Sequence, residues 1–321
     1  MPELAGRECP TDNSFVVELD FLYWRGQNHA PIVGIRSVST GTFPIELEML
    51  RHSQKWEPGF RIGIGWDTVF DTWDLMAHWT YYHNHSRESF FDPNTIVNQG
   101  GFFPGFPFVG ASNFASLTHE WILNYNMIDF EMGRLFHISR HLSLRPHVGV
   151  MGGWIYQDFV GKTNDNPDNT DNIAALVSKT QNDFKGVGPR IGLNGNWILD
   201  YGFSIFGDIA AALLFGKFTI QENERNLNAT NAPLGVFVPL FTFTDSFKDL
   251  SPHLQMLLGL SWGTCFNNDE MFFRLKAAWE TNYWWDQYHI TDIIPNLPGG
   301  AFTENNPVTM EGLTLEAKLD F

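Results

Sequence analysis

The chain has 321 residues, of which only 17% are charged and 15% are aromatic, with 29 Phe, 12 Trp and a formal net charge of −16. The acidic balance argues against nucleic-acid binding, which needs a basic surface. No apolar run reaches the roughly 18–20 residues of a membrane helix, and two cysteines, Cys9 and Cys265, are too few for a disulfide scaffold.

Taken in chain order, the opening MPELAGRECP has neither a charged n-region nor an apolar h-region. For an exported chain it reads as a mature form with its signal removed and a start Met added. From there the dominant pattern is period two, the mark of β-strands. FVVELDFLYWRG (15–26) sets Phe15, Val17, Leu19, Phe21 and Tyr23 against Glu18 and Asp20. WEPGFRIGIGW (56–66) sets Phe60, Ile62, Ile64 and Trp66 against Gly59, Arg61, Gly63 and Gly65. WDLMAHWTYYH (73–83) sets Trp73, Leu75, Ala77, Trp79 and Tyr81 against Asp74, Met76, His78 and Thr80.

LTHEWILNYNMIDFEMG (117–133) shows Trp121, Leu123 and Tyr125 on one face and then Ile128, Phe130 and Met132, which predicts a bulge near Asn126. Further segments follow at 142–157, 184–197, 203–215, 251–262 and 271–284, and the chain closes on GLTLEAKLDF (312–321). The expectation is ten antiparallel strands. The connections near 67–72, 134–141, 198–202 and 263–270 are short; those at 27–55, 85–116, 158–183, 219–250 and 285–307 are long and rich in Asn, Pro, Gly and Asp.

Short turns on one side, long loops on the other and both ends on the short side predict an all-β fold: a transmembrane antiparallel up-and-down barrel. Residues 1–13 are then a periplasmic N-terminal segment and 14–321 a single barrel domain in the bacterial outer membrane, with periplasmic termini. The terminal Phe321 resembles the signal that outer-membrane barrels present to the assembly machinery. TFPIELEML (42–50) and GVFVPLFTF (235–243) are also strand-like, leaving twelve or more strands as the alternative to hairpins that extend above the membrane. Trp66, Trp73, Trp197, Trp262 and Phe321 fall near the short turns, and Trp24, Trp79, Trp121, Trp154, Tyr156 and Trp284 near the long loops, as two aromatic girdles.

Several blocks in order, WEPGFRIGIGW, DTWDLMAHWTYYH, WILNYNMIDFEMGR, SLRPHVGVMGGWIYQ and VGPRIGLNGNW, resemble the pore-forming major outer membrane protein family of Legionella and Chlamydia-like bacteria. The resemblance covers most strands and none of the long loops. It implies an outer-membrane general porin that is also a major surface antigen, and it carries no catalytic residues across.

Under the barrel reading, Glu18, Asp20, Arg61, Asp74, His78, Arg145, His147, Arg190, Asp208, His253, Arg274, Lys276, Glu280, Glu316 and Lys318 face inward. They are the candidate pore-lining residues for passive diffusion of small hydrophilic solutes or ions. The alternative is that they pair with one another inside a filled barrel, a live choice because eight strands leave room only for side chains. Inward glycines such as Gly63 and Gly192 leave space for water or for close packing. A filled barrel would serve as a structural element or adhesin whose long loops meet other surfaces.

A surface protease is a further reading, with His83, His85, Asp92, His119 and Glu120 as its candidates, but sequence does not bring such groups together. The expectation is therefore a non-enzyme without cofactor or metal, surrounded by outer-membrane lipid and able to form homo-oligomers. Cys9 and Cys265 both fall on the short-turn side, in an oxidising compartment, which makes a disulfide between them a candidate.

Overall fold

A computed structural model describes residues 14–28, 33–37, 47–51, 53–68, 72–91, 101–104, 114–164, 173–199, 201–228, 234–267, 271–293 and 301–321. Its strands are β1 (Ser14–Asn28), β2 (Gly34–Ser37), β3 (Leu47–Leu50), β4 (Trp56–Asp67), β5 (Trp73–Phe91), β6 (Gly101–Pro104) and β7 (Ser116–Arg134). They continue as β8 (Phe136–His137), β9 (Leu142–Asn164), β10 (Ile173–Ile198), β11 (Phe203–Asn228), β12 (Val238–Phe266), β13 (Met271–Ile293) and β14 (Ala301–Asp320). Antiparallel pairing runs β1-β4-β5-β7-β9-β10-β11-β12-β13-β14, and β14 returns to β1, so ten strands close a barrel. The closing seam reaches the last residue. Phe15 and Phe321 exchange backbone hydrogen bonds of 2.8 and 3.0 Å, and their rings meet edge-on at 5.5 Å.

The short connections are where alternation stops and turn chemistry begins. Between β10 and β11, Tyr201 (φ 62°) and Gly202 (φ 82°) are both left-handed, a backbone that matches the twist of a tight hairpin. On the other side the strands run on far beyond a bilayer. β12 has 29 residues, against the roughly 9–11 that one crossing needs. Much of 158–183 and 219–250, expected as loop, is therefore strand. GVFVPLFTF enters β12, while TFPIELEML contributes β3 to a separate small sheet in the order β3-β2-β6.

The exterior of the lower barrel is apolar. Leu19, Phe21, Ile64, Trp66, Ile128, Phe130, Ile191, Phe215, Leu258 and Leu260 are all exposed there, a surface suited to lipid and not to water. Higher up the faces exchange roles. Trp24, Trp121 and Trp284, expected in a girdle, point inward and are fully buried.

No bulge interrupts β7, whose pairing with β5 and β9 is continuous through Asn126. Trp121, Leu123 and Tyr125 share the inward face with Asp129 and Glu131, while Ile128, Phe130 and Met132 face outward. The apparent register switch is a change of surroundings along one uninterrupted strand.

The inward apolar residues of the upper barrel form one core that includes Leu22, Trp24, Tyr82, Leu117, Trp121, Tyr125, Phe159, Phe184, Leu214, Phe218, Trp284 and Tyr288. Phe184 and Phe218 lie 4.6 Å apart, Phe184 and Trp284 6.5 Å, and Tyr125 and Trp284 6.0 Å. Burying each such ring contributes about 1.5–3 kcal/mol.

Part of the barrel folds over this core. Between Trp284 and Tyr288 the β13–β14 register shifts, with Asp286 left-handed at φ 48°. Among the described residues, β12 pairs with β13 only from His253 downward. The upper β13–β14 hairpin thus leaves the wall and lies against the facing strands. Asn182 Nδ2 donates to the His289 carbonyl at 2.9 Å, and the His289 ring stands edge-on to Phe218 at 4.4 Å and Phe247 at 4.9 Å.

Candidate functional site

Below the apolar core, inward positions of the same strands carry charge and enclose a cavity of about 400 Å³. It is lined at the short-turn end by Ser14, Asp67 and Thr72, and at its inner end by Arg61, Gln255 and Ala210. Every candidate pore-lining residue expected from sequence faces the barrel interior. The structure adds Asp129, Glu131, Asn194, Gln255 and Asp320. Asp129 and Glu131 were legible in principle, since they alternate with the outward Ile128, Phe130 and Met132.

The charged groups form three linked clusters. Arg61 of β4 donates to Asp20 of β1 at 3.1 Å and to Glu280 of β13 at 2.7 Å. Glu280 is fully buried and also accepts from Gln255 at 2.6 Å, Asn282 at 3.0 Å and Thr314 at 2.8 Å. Thr314 in turn accepts from Trp24 Nε1 at 3.1 Å, and the Arg61 guanidinium lies 5.9 Å from the Trp24 ring. This network spans the barrel at the boundary between polar cavity and apolar core. A buried carboxylate with this many donors is held in place, because losing any of them leaves charge unsolvated.

On one wall, Arg145 of β9 donates to Asp74 through Nε at 2.7 Å and again through a second nitrogen, to Glu131 at 2.9 Å and to Asn194 at 2.8 Å. His147 sits 3.0 Å from Glu131, and Arg190 lies 3.3 Å from Asp129 and 2.5 Å from Gln255. On the other wall, His78 pairs with Glu18 at 3.0 Å, Lys276 with Glu316 at 2.9 Å, Arg274 with Glu316 at 3.4 Å and Lys318 with Asp320 at 3.4 Å. Asp208 lines the cavity nearby.

The inward glycines accommodate these side chains. A Cβ at Gly63 would stand 2.7 Å from the His78 ring, and one at Gly192 2.4 Å from His147 Nε2. At these positions the missing Cβ permits the close packing of the two histidine rings. His253, expected in the lumen, stacks on Trp284 at 4.2 Å, at the edge of the aromatic core.

Among the described residues, the histidines and Glu120 considered for a protease do not converge. His85 pairs with Glu120 at 2.7 Å and His83 with Asn124 at 2.7 Å, both on the outer surface of the upper barrel. His119 points the other way, fully buried against Phe159 at 5.3 Å. Asp92 lies outside the described residues, as does Cys9, the proposed partner of Cys265.

A closed ten-strand barrel with an apolar exterior band and turns of unequal length narrows the choice of family. The family model for the Legionella pneumophila major outer membrane protein precursor matches residues 8–321. The chain belongs to this family. It is accordingly a bacterial outer-membrane protein, and the barrel is the part that crosses the bilayer. No curated protein matches the chain.

Among solved structures it is similar to the outer membrane protease OmpT of Escherichia coli, with 12% identity over 96% of each chain and a TM-score of 0.39. It is also similar to a FadL homologue of Pseudomonas aeruginosa, with 8% identity, 97% of this chain and 90% of that one covered, and a TM-score of 0.32. The monoaromatic hydrocarbon channel CymD matches with 8% identity over 97% of this chain and 88% of that one, at a TM-score of 0.38. Likenesses this distant carry no argument about activity.

Proposed function

We propose that this outer-membrane barrel is sealed, and that it serves as a rigid stem holding long β-hairpins at the cell surface, with its termini in the periplasm. One observation carries the reading: Trp24, Tyr82, Trp121, Tyr125, Phe184, Phe218, Trp284 and Tyr288 pack into one another across the upper interior, where a porin keeps water. In this reading the charged clusters below satisfy one another and hold the wall in register, and the function is non-enzymatic. The apolar band is solvated by outer-membrane lipid, Phe321 is what the barrel-assembly machinery reads, and association of copies is compatible with the surface-antigen role the family suggests.

A second reading, passive diffusion of small hydrophilic solutes or ions, is favoured by the polar cavity of about 400 Å³. It requires the β13–β14 hairpin and the aromatic core beneath it to move aside. Conductance of the purified protein in a planar bilayer separates the two. The sealed barrel predicts silent membranes under conditions where a known porin conducts; steady ohmic steps at low voltage would replace it with the porin reading.

A further inference from the structure

The outward apolar rows of three consecutive strands end at Val187 of β10, Phe215 of β11 and Leu250 of β12, each 47–58% exposed. Two positions higher on each strand stands a lysine: Lys185, Lys217 and Lys248. Register sets them side by side, Lys185 opposite Lys217 and Lys217 opposite Lys248. All three are exposed on the outward face. Strand spacing places the outer two within about 10 Å of each other.

Elsewhere on the belt aromatic residues recur near this level. Trp154 of β9 lies opposite Lys185, Tyr23 stacks on Trp56 at 5.5 Å, and Trp279 meets Trp56 edge-on at 5.9 Å. Trp and Tyr are the usual residues at a bilayer surface. Among the described residues, a cationic row replaces them only over β10–β12, in a chain whose net charge is −16.

Like charges directly opposite across strands are destabilising, so an aligned triplet calls for an anion. Among the described residues, Asp183, two positions above Lys185 on the same strand face, attracts it, and no carboxylate closes a salt bridge with the triplet. Lys179, higher on β10, is paired with Asp158 at 3.2 Å, but among the described residues no such ion pair holds Lys185, Lys217 or Lys248. Lys185 Nζ instead lies 5.5 Å from the Tyr156 ring. The apolar residues immediately below, Val187, Phe215 and Leu250, are where a lipid's acyl chains would continue downward from a phosphate at lysine level.

We propose that Lys185, Lys217 and Lys248 form a binding site for the phosphate headgroup of a membrane lipid on the long-hairpin side of the bilayer. The lysines supply the positive charge and donors, and their stems lie along the apolar wall. The proposal rests on the membrane placement of the barrel and holds whether or not the lumen conducts.

The test is native mass spectrometry of full-length protein extracted from phosphatidylcholine vesicles with and without phosphatidic acid. The wild type is expected to carry a phosphatidic-acid adduct. The Lys185→Gln/Lys217→Gln/Lys248→Gln variant should lose it about tenfold or more, while Lys179→Gln keeps it. An equal adduct on the triple variant would overturn the site. Displacement of the adduct by millimolar inorganic phosphate would overturn the lipid as its ligand, in favour of a soluble anion. Heat-modifiable mobility on gels confirms the folded barrel. Should the triple Gln variant not insert, the triple Arg variant must retain the adduct, and its loss would equally reject the proposal.

Discussion

The lower and upper halves of the barrel are built from the same strands in the same register, yet they are inside-out relative to each other. On β7 the outward residues are Ile128, Phe130 and Met132 below but Glu120, Asn124 and Asn126 above, while the inward ones change from Asp129 and Glu131 to Trp121, Leu123 and Tyr125. On β11 outward Ile209, Leu213 and Phe215 give way to Lys217, Thr219 and Gln221, and inward Asp208 gives way to Leu214 and Phe218.

The parity of the strand never changes; its surroundings do. Below, hydrocarbon lies outside and a polar cavity inside. Above, the outer face is polar, so the inner face must supply the apolar burial that lipid supplied below. A strand that leaves the membrane therefore turns its grease inward without bending or slipping.

This contrast can be broken from either side. Trp284→Ala removes one of the three buried tryptophans of the upper core and is expected to cost about 3–5 kcal/mol. It should also raise bilayer conductance, which urea unfolding in vesicles and current recordings measure. Of the same order is Glu280→Ala, about 3–5 kcal/mol, because Arg61 then loses its closest buried carboxylate. Glu280→Gln should cost less, since the amide still accepts from Arg61. Equal losses for the two variants would show that the carboxylate's charge, lost in both, carries the effect and that the hydrogen bonds the amide keeps do not.

The outer face provides the next test. Ile191→Arg, in the lipid-facing row of β10, should cost about 2–4 kcal/mol. Gln181→Arg, on the same face of the same strand above the band, should stay within about 0.5 kcal/mol. Equal effects in urea unfolding would remove the boundary between the halves.

A smaller effect concerns the folded-over hairpin. Burial between Phe218 and Phe247 holds the His289 pKa below its ordinary value, partly offset by the Asn305 hydrogen bond and by the nearby charges of Asp286 and Asp249. The folded form therefore prefers neutral His289 and the opened form binds more protons, so the hairpin's stability is full above about pH 6.5 and falls as pH drops below it. Hydrogen exchange over 286–293, corrected for intrinsic rate, should accelerate at acid pH in the wild type and much less in His289→Phe. Finally, a Cys9–Cys265 disulfide predicts joined peptides in mass spectrometry without reduction, and two free thiols would end that proposal.

Period-two alternation, the unequal connections and the closing GLTLEAKLDF were enough to read an all-β barrel of ten strands with its outward rows at Leu19, Ile64, Ile191 and Leu315. These features are local: a strand's parity and a turn's length are written in consecutive residues. The inward charges Arg61, Arg145, Arg190 and Glu280 could be read the same way, because beside a run of outward aliphatics the opposite parity has only one place to go.

What alternation leaves open is which face meets which medium at each height. Trp24, Trp121 and Trp284 fit a girdle or a core equally well, and the change of face in β7 imitates a bulge. Deciding between them took the lateral pairing of ten strands and the inward fold of β13–β14 over Phe218 and Phe247. Whether a barrel is hollow depends on side chains that meet across its axis from residues as distant in sequence as Tyr125 and Trp284, and no local pattern encodes that meeting.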